Sequence, residues 1–132
     1  MAIKGNCLCG SIRYEINGEL GDAMLCHCSI CRKTNGSAYA INAPVNSADF
    51  KLLSGRETLA SFESSEGAHR FFCNKCGAPI YSQRSAMPEV LRLRLGSLDD
   101  DVDINKSCHV FVASKANWDE IQDELPQYDE RP

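Results

Sequence analysis

Seven of the eight cysteines in this 132-residue chain fall into three clusters whose spacing is typical of metal ligands. The clusters are Cys7 with Cys9, Cys26 with Cys28 and Cys31, and Cys73 with Cys76. Thiolates are soft ligands, and Cys-x-x-Cys pairs far apart in a sequence commonly build tetrahedral zinc sites. The two pairs together predict one closed four-sulfur site. The cluster of three is one ligand short of a tetrahedron, so it predicts a second site with a position open to water or substrate.

The closed site is predicted on Cys7, Cys9, Cys73 and Cys76. Cys7 and Cys9 point to the same side if their segment is extended, because residues two apart on a strand share a face. The second pair is typical of a tight knuckle in which backbone N–H groups face the sulfurs and Gly77 takes a positive φ. We expect zinc, which would contribute ~10 kcal/mol or more to folding. Iron in the same cage and buried, metal-free cysteines are the alternatives.

The open site is predicted on Cys26, Cys28 and Cys31, which lie within six residues and are followed by Arg32 and Lys33. Their i, i+2 and i, i+3 spacing lets three sulfurs reach one face of an ion from a single loop. The adjacent cations favour thiolate over thiol. The sequence therefore predicts two Zn²⁺ ions per chain, one for the fold and one for the chemistry.

The fourth ligand of the open site is not determined by the sequence. His27 lies between two ligands and is expected to point away from them on an extended segment. Cys108 is a distant candidate, although a lone cysteine beside an apolar run is more typical of a core position. His109 is a candidate catalytic residue, with a hydrogen-bonding role near the site and an ordinary strand histidine as the alternatives.

A metal held by three thiolates favours a particular chemistry. Three thiolates donate so much charge that zinc becomes a weaker Lewis acid than it is with neutral imidazole ligands, so hydrolysis is less favoured. A substrate thiol is a better fourth ligand, because coordination removes its proton and holds a nucleophilic sulfur in place. The ligand set therefore indicates thiol chemistry.

Composition excludes several other classes of protein. The chain is long enough for one domain, residues 1–132, with a substantial core. No apolar run approaches the roughly 20 residues that span a membrane, and the N-terminus lacks a secretory signal pattern. We therefore expect a reducing, cytoplasmic location and metal-bound thiols, with a disulfide framework as the alternative. The formal net charge is −4 with no basic stripe, so nucleic acid is not an expected partner.

The elements that position the cysteines are predicted to be mainly strands. Ile12, Tyr14 and Ile16 alternate with polar residues, as do Leu91, Leu93 and Leu95 with Arg92 and Arg94, which is typical of half-buried strands. Weaker strand patterns cover residues 37–43, 50–53, 59–63, 70–72, 80–83 and 109–113. Helix is expected only at residues 29–35, ended by Gly36, and at 118–125, ended by Pro126. These patterns predict a mostly antiparallel β domain.

Three motifs and the tail of the chain carry a resemblance to a known family. The motifs are Gly5-x-Cys7-x-Cys9-Gly10-x-Ile12-x-Tyr14, Cys26-His27-Cys28-x-x-Cys31-Arg32-Lys33-x-x-Gly36 and Phe72-Cys73-x-x-Cys76-Gly77-x-Pro79-Ile80-Tyr81. The tail includes His109-Val110-Phe111-Val112-x-Ser114-Lys115-Ala116-x-Trp118 and Leu125-Pro126-Gln127-Tyr128. In this order they resemble the glutathione-dependent formaldehyde-activating family.

The resemblance implies both a fold and an activity. The fold is a β-tent of antiparallel sheets with little helix, held by a structural zinc on Cys7, Cys9, Cys73 and Cys76. A second zinc is implied on the other three clustered cysteines. The implied activity is that of a carbon–sulfur lyase, which reversibly joins formaldehyde to glutathione as S-(hydroxymethyl)glutathione. Glutathione or a related small thiol is the implied partner.

Electrostatics adds a requirement for local cations. Two filled zinc sites would bring the total charge to about −7, so an anionic thiol such as glutathione would be repelled at long range. Arg32, Lys33 and Lys115 are the candidates for a carboxylate clamp, with ordinary solvated surface as the alternative. Two other functions stay open: a non-catalytic thiol-binding module, and a structural two-zinc protein in which Cys108 closes the second site.

Overall fold

The computed structural model describes residues 2–132, which form ten β-strands and one α-helix. The elements are β1 Ile3–Asn6, β2 Arg13–Ile16, β3 Ala23–Cys26, α1 Ser29–Asn35, β4 Ala40–Asn46, β5 Phe50–Ser54, β6 Leu59–Ser65, β7 Ala68–Cys73, β8 Pro79–Arg84, β9 Met87–Arg94 and β10 Lys106–Val110. Short 3-10 turns occupy Ser47–Asp49, Leu95–Ser97 and Val112–Ser114. Among the described helices, none has the length and apolar character needed to cross a membrane. The predicted mainly β fold is confirmed.

The strands form two sheets. One has three strands in the order β1-β2-β5, and the other has seven in the order β10-β3-β4-β9-β8-β7-β6. All neighbours pair antiparallel except β10 and β3, which pair parallel. The alternation of apolar and polar residues did not indicate that β3 and β10 pair in parallel. Parallel strands are joined by a long crossover connection, which no local sequence pattern specifies. The sheets are therefore antiparallel as predicted, with one exception beside the three-cysteine cluster.

The main core lies between the two sheets. Tyr14 and Ile16 of β2 are buried against Val45, Ile80 and Leu93 of the larger sheet. The remaining buried members of the same cluster are Cys7, Ile12 and Cys73. The period-two patterns in β2 and β9 thus describe the faces that the two sheets bury against each other.

One glycine permits a close approach at this core. The Tyr14 ring packs so tightly on Gly5 that a Cβ there would lie 2.4 Å from the ring. The Tyr14 hydroxyl hydrogen-bonds the Ser97 hydroxyl at 2.5 Å. Burial raises the pKa of Tyr14 to about 12, because removing the hydroxyl from water disfavours the phenolate. Glycine is therefore required at position 5 for Tyr14 to reach Ser97.

The opposite face of the seven-stranded sheet positions the second cysteine cluster. Cys26 ends β3, and Cys31 follows it on α1. Helix α1 is the predicted one: the Cys28 sulfur accepts from the Cys31 N–H at its start, and Gly36 ends it at φ 66°. That left-handed conformation favours glycine and is a common helix end. The helix predicted at residues 29–35 is therefore confirmed.

The second predicted helix, at residues 118–125, is wrong. The structure has turns and bends there, and the chain continues as an irregular tail along β10. The His109 N–H donates to the Pro126 carbonyl, and the Tyr128 N–H donates back to the His109 carbonyl. Backbone partners on β10 thus replace those a helix would have supplied. The conformation of this tail depends on tertiary contacts with β10, which the periodicity of apolar residues in the sequence does not predict.

Candidate functional site

The first candidate metal site gathers Cys7, Cys9, Cys73 and Cys76 as predicted. Their four sulfur atoms all lie within 4.8 Å of one another. The Cys9 sulfur is 3.6 Å from that of Cys7 and 3.8 Å from that of Cys73. Zinc–sulfur bonds of about 2.3 Å in a tetrahedron require sulfur–sulfur distances of about 3.8 Å. The cluster therefore has the donor set and spacing for one tetrahedral metal ion.

Backbone donors surround the sulfurs of this site. The Ile12 N–H donates to the Cys7 sulfur at 3.2 Å, and the Lys75 and Cys76 N–H groups donate to the Cys73 sulfur. Gly77 closes the turn with φ 79°, as the knuckle predicts. Such donors stabilise thiolate charge. Burial nevertheless raises the pKa of Cys73 to about 11 although these donors oppose it, so an ionised sulfur at this position would also require a bound cation.

The second candidate site gathers Cys26, Cys28 and Cys31, whose sulfurs also lie within 4.8 Å of one another. Contacts among the three thiols raise the pKa of Cys26, and hydrogen bonds from Cys26 and Cys31 lower the pKa of Cys28 to about 2. Ionisation of Cys28 is therefore favoured over that of Cys26, because adjacent negative charges repel one another. A bound cation would remove that repulsion, so the donor set fits a soft metal ion.

Cys108 does not belong to this group. Cys108 is buried next to the cluster in a small core with Ala40 and Val110. The hydroxyl of the neighbouring Ser107 donates to the Cys108 sulfur at 3.7 Å. The group of potential ligand atoms contains three sulfurs and not a fourth. This arrangement favours Cys108 as a core residue. A tetrahedral metal ion held by Cys26, Cys28 and Cys31 would then have one open coordination position.

A cavity of about 430 Å³ opens onto all three sulfurs of the second site. Met24, Ile30, Val110 and Phe111 give it an apolar part next to the cysteines. Phe111 has φ 56°, a left-handed conformation that a non-glycine residue adopts at a cost. The cavity size suits a small organic molecule.

Five arginines that are not among the predicted site residues also line this cavity. They are Arg70, Arg84, Arg92, Arg94 and Arg131. The Nη1 atom of Arg70 lies 3.5 Å from the Cys31 sulfur. Burial lowers the pKa of Arg94 to about 10, with the Arg70 guanidinium acting in the same direction. Four of the five arginines that line this cavity thus come from strands.

A signal for these arginines was present in the sequence. Arg92 and Arg94 alternate with the buried leucines of β9, a pattern usually associated with a solvent-facing side. In the structure Arg94 is only 4% exposed, because both faces of this strand are covered. Residues two apart on a strand share a face of the sheet. Arginines spaced in this way on β9, together with Arg84 on the neighbouring strand β8, therefore indicate a shared cationic face.

The cations selected from the sequence lie elsewhere. Arg32 and Lys33 are in the last turn of α1 and are not among the residues that line the cavity. Lys115 donates from Nζ to the backbone carbonyls of Ala116 and Asp119. The predicted carboxylate clamp is thus not assembled around the cavity in this structure.

His109 lies behind the cysteine loop and not in the cavity. It is 2% exposed, and its Nδ1 is 2.8 Å from Nε2 of His27. Its Nε2 is 2.9 Å from a carboxylate oxygen of Asp123. His27 points away from its cysteine neighbours, as predicted, and is fully buried. A buried chain of hydrogen bonds therefore joins the metal-binding loop to the C-terminal tail.

The hydrogen bonds fix the tautomers in this chain. The Asp123 carboxylate can only accept, so His109 donates from Nε2 and accepts at Nδ1 from His27 Nε2–H. Burial, reinforced by the neighbouring His109 ring, keeps the pKa of His27 below its usual value. The hydrogen bond from His109 lowers the pKa of Asp123. Both ring nitrogens of His109 are thus partnered, whereas the buried Nδ1 of His27 has no hydrogen-bond partner among the described residues.

Comparison with known proteins places these groups in context. A "Putative glutathione-dependent formaldehyde-activating enzyme" of Halomonas elongata is 28% identical over 130 residues, covering 92% of this chain and 82% of the relative. An uncharacterized lyase of Schizosaccharomyces pombe is 31% identical over 78 residues, covering 59% of this chain and 55% of that protein. A crystal structure of a Rhodobacter sphaeroides protein is similar with a TM-score of 0.64 and 28% identity, covering 80% of this chain and 100% of that one.

The sequence profile of one family matches residues 2–114, which include both cysteine groups. The profile is that of the glutathione-dependent formaldehyde-activating enzyme. This match confirms the resemblance found in the motifs and the prediction of an enzyme. The chain belongs to the glutathione-dependent formaldehyde-activating enzyme family.

Proposed function

We propose that the chain is a zinc-dependent lyase that reversibly joins the sulfur of glutathione, or of a related thiol, to the carbonyl carbon of formaldehyde. The observation that carries this proposal is the cluster of three sulfurs at the edge of a cavity of ligand size. The names of the family and of the Halomonas relative support glutathione and formaldehyde as the substrate pair.

Cys7, Cys9, Cys73 and Cys76 would hold a structural zinc, and Cys26, Cys28 and Cys31 a second one. The sulfur spacing of the first group and the mutual repulsion of the second support this assignment. When bound by three thiolates, zinc supplies a soft Lewis acid that keeps a substrate thiol deprotonated at neutral pH. Cys26, Cys28 and Cys31 thereby serve as the site at which a thiol is captured.

The cavity walls would orient the captured thiol. Met24, Val110 and Phe111 present apolar surface next to the cysteines, which would limit the access of water to the sulfur. Excluding water protects a hemithioacetal from competing reactions. Arg70 reaches the cluster at Cys31 and can pair with an acid group of the same substrate.

We propose a positioning role for His109. Its ring contacts His27 and Asp123 behind the loop and does not reach the cavity. By fixing His27, it restrains the peptide units on both sides of that residue, which carry Cys26 and Cys28. A general acid or base needs a path to the reacting atoms, and the lining of the cavity does not provide His109 with one.

The test is turnover by the zinc-loaded protein. We expect wild type to accelerate formation of S-(hydroxymethyl)glutathione from glutathione and formaldehyde, followed by two-dimensional exchange NMR. Cys28→Ser should abolish the acceleration, since one of three ligands is lost. Cys108→Ala is the matched control and should retain it, because Cys108 lies outside the sulfur group.

The same assay discriminates the alternatives. A protein that holds two zinc ions and binds glutathione without accelerating exchange would be a binding module and would contradict the proposed activity. A wild type that binds no thiol until Cys108 is replaced would instead have a closed second site.

A further inference from the structure

Four arginines of the cavity surround one serine on the sheet. Arg70 and Arg92 are paired in register with Ser82 from the two strands that flank it. Neighbouring strands lie about 4.8 Å apart, so these two arginine backbones are about 10 Å apart with Ser82 between them. Arg94 donates to the Ser82 hydroxyl at 3.4 Å. Arg84 follows Ser82 by two residues on β8 and so shares its face.

Among residues 2–132, these guanidinium groups have no carboxylate partner, and the cysteine sulfurs are the acidic groups closest to them, with Arg70 3.5 Å from the Cys31 sulfur. Within residues 2–132, the one ion pair joins His109 to Asp123, and no carboxylate lies at ion-pair distance from any of the four arginines. Asp22 is the single acidic residue among those that line the cavity, and it is exposed. Charges that are removed from water without a partner destabilise a fold. A zinc ion held by three thiolates would supply a net charge of only about −1, so the four guanidinium groups leave an excess of positive charge that indicates an anionic ligand.

The side chains that are free to bind lie at the middle of the group. Arg84 and Arg92 make no side-chain hydrogen bond within the described part of the chain, whereas Arg70 donates to Ser64 and Arg94 to Ser82. Arginines that served only the fold would be expected to use their donors on the protein. A guanidinium with free donors matches the oxygens of a carboxylate or a phosphate.

The arrangement favours a compact anion over widely spaced charges. Arg70 and Arg92 lie beside Ser82 on the two flanking strands, and Arg84 lies two residues farther along β8. Glutathione carries two carboxylates at opposite ends and an ammonium that offsets one of them. Two vicinal carboxylates, or one phosphate, would place two negative charges at a single point among these arginines.

We propose that the wall formed by Arg70, Arg84, Arg92 and Arg94 binds a compact dianionic group of the substrate, and that the enzyme prefers thiols or thiol adducts which carry one. This inference rests on the proposed function, because the thiol is placed at the three-cysteine cluster. Arg70 links the two parts of the site, since it also reaches the Cys31 sulfur at 3.5 Å.

Isothermal titration calorimetry on the zinc-loaded protein tests this proposal. The probes are mercaptosuccinate, glutathione, 2-mercaptoethanol, succinate and inorganic phosphate at constant ionic strength. We expect mercaptosuccinate to bind at least about tenfold more tightly than 2-mercaptoethanol, and more tightly than glutathione, as suits charge-assisted hydrogen bonds. Succinate or phosphate should compete with it, and the stronger competitor identifies the dianion as a dicarboxylate or a phosphate.

The variants are Arg92→Gln and Arg84→Gln, with Arg56→Gln as the control. Arg56 is exposed and lies outside the cavity lining. Each of the first two should weaken mercaptosuccinate binding by about tenfold and leave 2-mercaptoethanol binding and zinc content unchanged. Arg56→Gln should change none of these. Having two variants, along with competition on the wild type, keeps the test valid if one variant fails to fold.

The outcomes separate this inference from the proposed function. Equal affinities for mercaptosuccinate and 2-mercaptoethanol, or a preference for glutathione that neither variant alters, would overturn the dianion subsite and leave the thiol site in place. Succinate binding that depends on Arg92, with no contribution from the thiol of mercaptosuccinate, would support the subsite and contradict thiol capture at the cysteine cluster.

Discussion

The two groups of cysteines differ in the surroundings of their individual sulfur atoms. Cys7 and Cys73 are buried in the main core, where their side chains pack against residues of both sheets. Cys28 is half-buried and faces the cavity. A ligand in the core contributes to holding the sheets together, whereas a ligand at a cavity is accessible to substrate. Substitutions in the four-cysteine group should therefore destabilise the fold, whereas substitutions in the three-cysteine group should affect metal binding and leave the fold intact.

The first prediction concerns Cys28→Ser. We expect its zinc content to fall from two equivalents per chain toward one, while its far-UV circular dichroism stays like that of the wild type. The three-cysteine loop closes only a short span, so its metal adds little to the fold. Plasma mass spectrometry gives the zinc content. Precipitation of this variant would contradict the assignment of one zinc site to the fold and the other to function.

The second prediction concerns Tyr14 at high pH. Its pKa is raised from 10.0 to about 12 in the folded protein by burial. Between those values the unfolded chain loses the proton and the folded chain keeps it, so stability is complete below pH 10 and falls as pH rises toward 12. The free energy of unfolding should drop by about 2 kcal/mol across this window, as measured by urea titration.

Replacement of the tyrosine provides the control for that experiment. Tyr14→Phe should lose this part of the pH dependence, although loss of the Ser97 hydrogen bond lowers its overall stability. Tyr128→Phe removes an exposed tyrosine and should retain the dependence. An unchanged pH profile in Tyr14→Phe would show that another group causes the loss of stability.

At the level of elements, local patterns predicted the strands and the first helix, and failed where a partner distant in sequence decides the structure. The helix at Ser29–Asn35 is specified by its own capping residues, from Cys28 to Gly36. β1 and β3 were missed because each is four residues long and takes its strand conformation from distant partners, β1 from β2 and β3 from β4 and β10. The cysteine groups were found because ligand spacing is local, whereas the arginine wall arises only from sheet register.

The third prediction concerns the tail that runs along β10. Asp123→Ala should leave the buried Nε2–H of His109 without its acceptor and loosen the attachment of the tail to the strand. We expect faster hydrogen exchange at the His109 and Tyr128 amides, which bond the two segments together. Asp129→Ala removes an exposed carboxylate from the same tail and is the control. Equal exchange rates in both variants would show that Asp123 has no part in holding the tail.

For the molecule as a whole, the four-cysteine site joins the N-terminal segment to the strands of the larger sheet. The fourth prediction is that Cys73→Ser, or removal of zinc by a strong chelator, unfolds the protein, since a structural zinc contributes on the order of 10 kcal/mol and whole domains are stable by only about 5–15 kcal/mol. Circular dichroism and solubility report the loss. A folded, zinc-free Cys73→Ser protein with wild-type melting would contradict the structural assignment.

We propose that the three-cysteine site holds a metal ion with one coordination position that a substrate thiol can occupy. Cobalt substituted at this site reports the change of ligand directly, because its visible spectrum depends on the donor atoms. We predict that a thiol changes the wild-type spectrum and releases about one proton near neutral pH, whereas an alcohol of the same shape does neither. A wild-type spectrum that does not respond to any thiol, but responds in Cys108→Ala, would contradict the account.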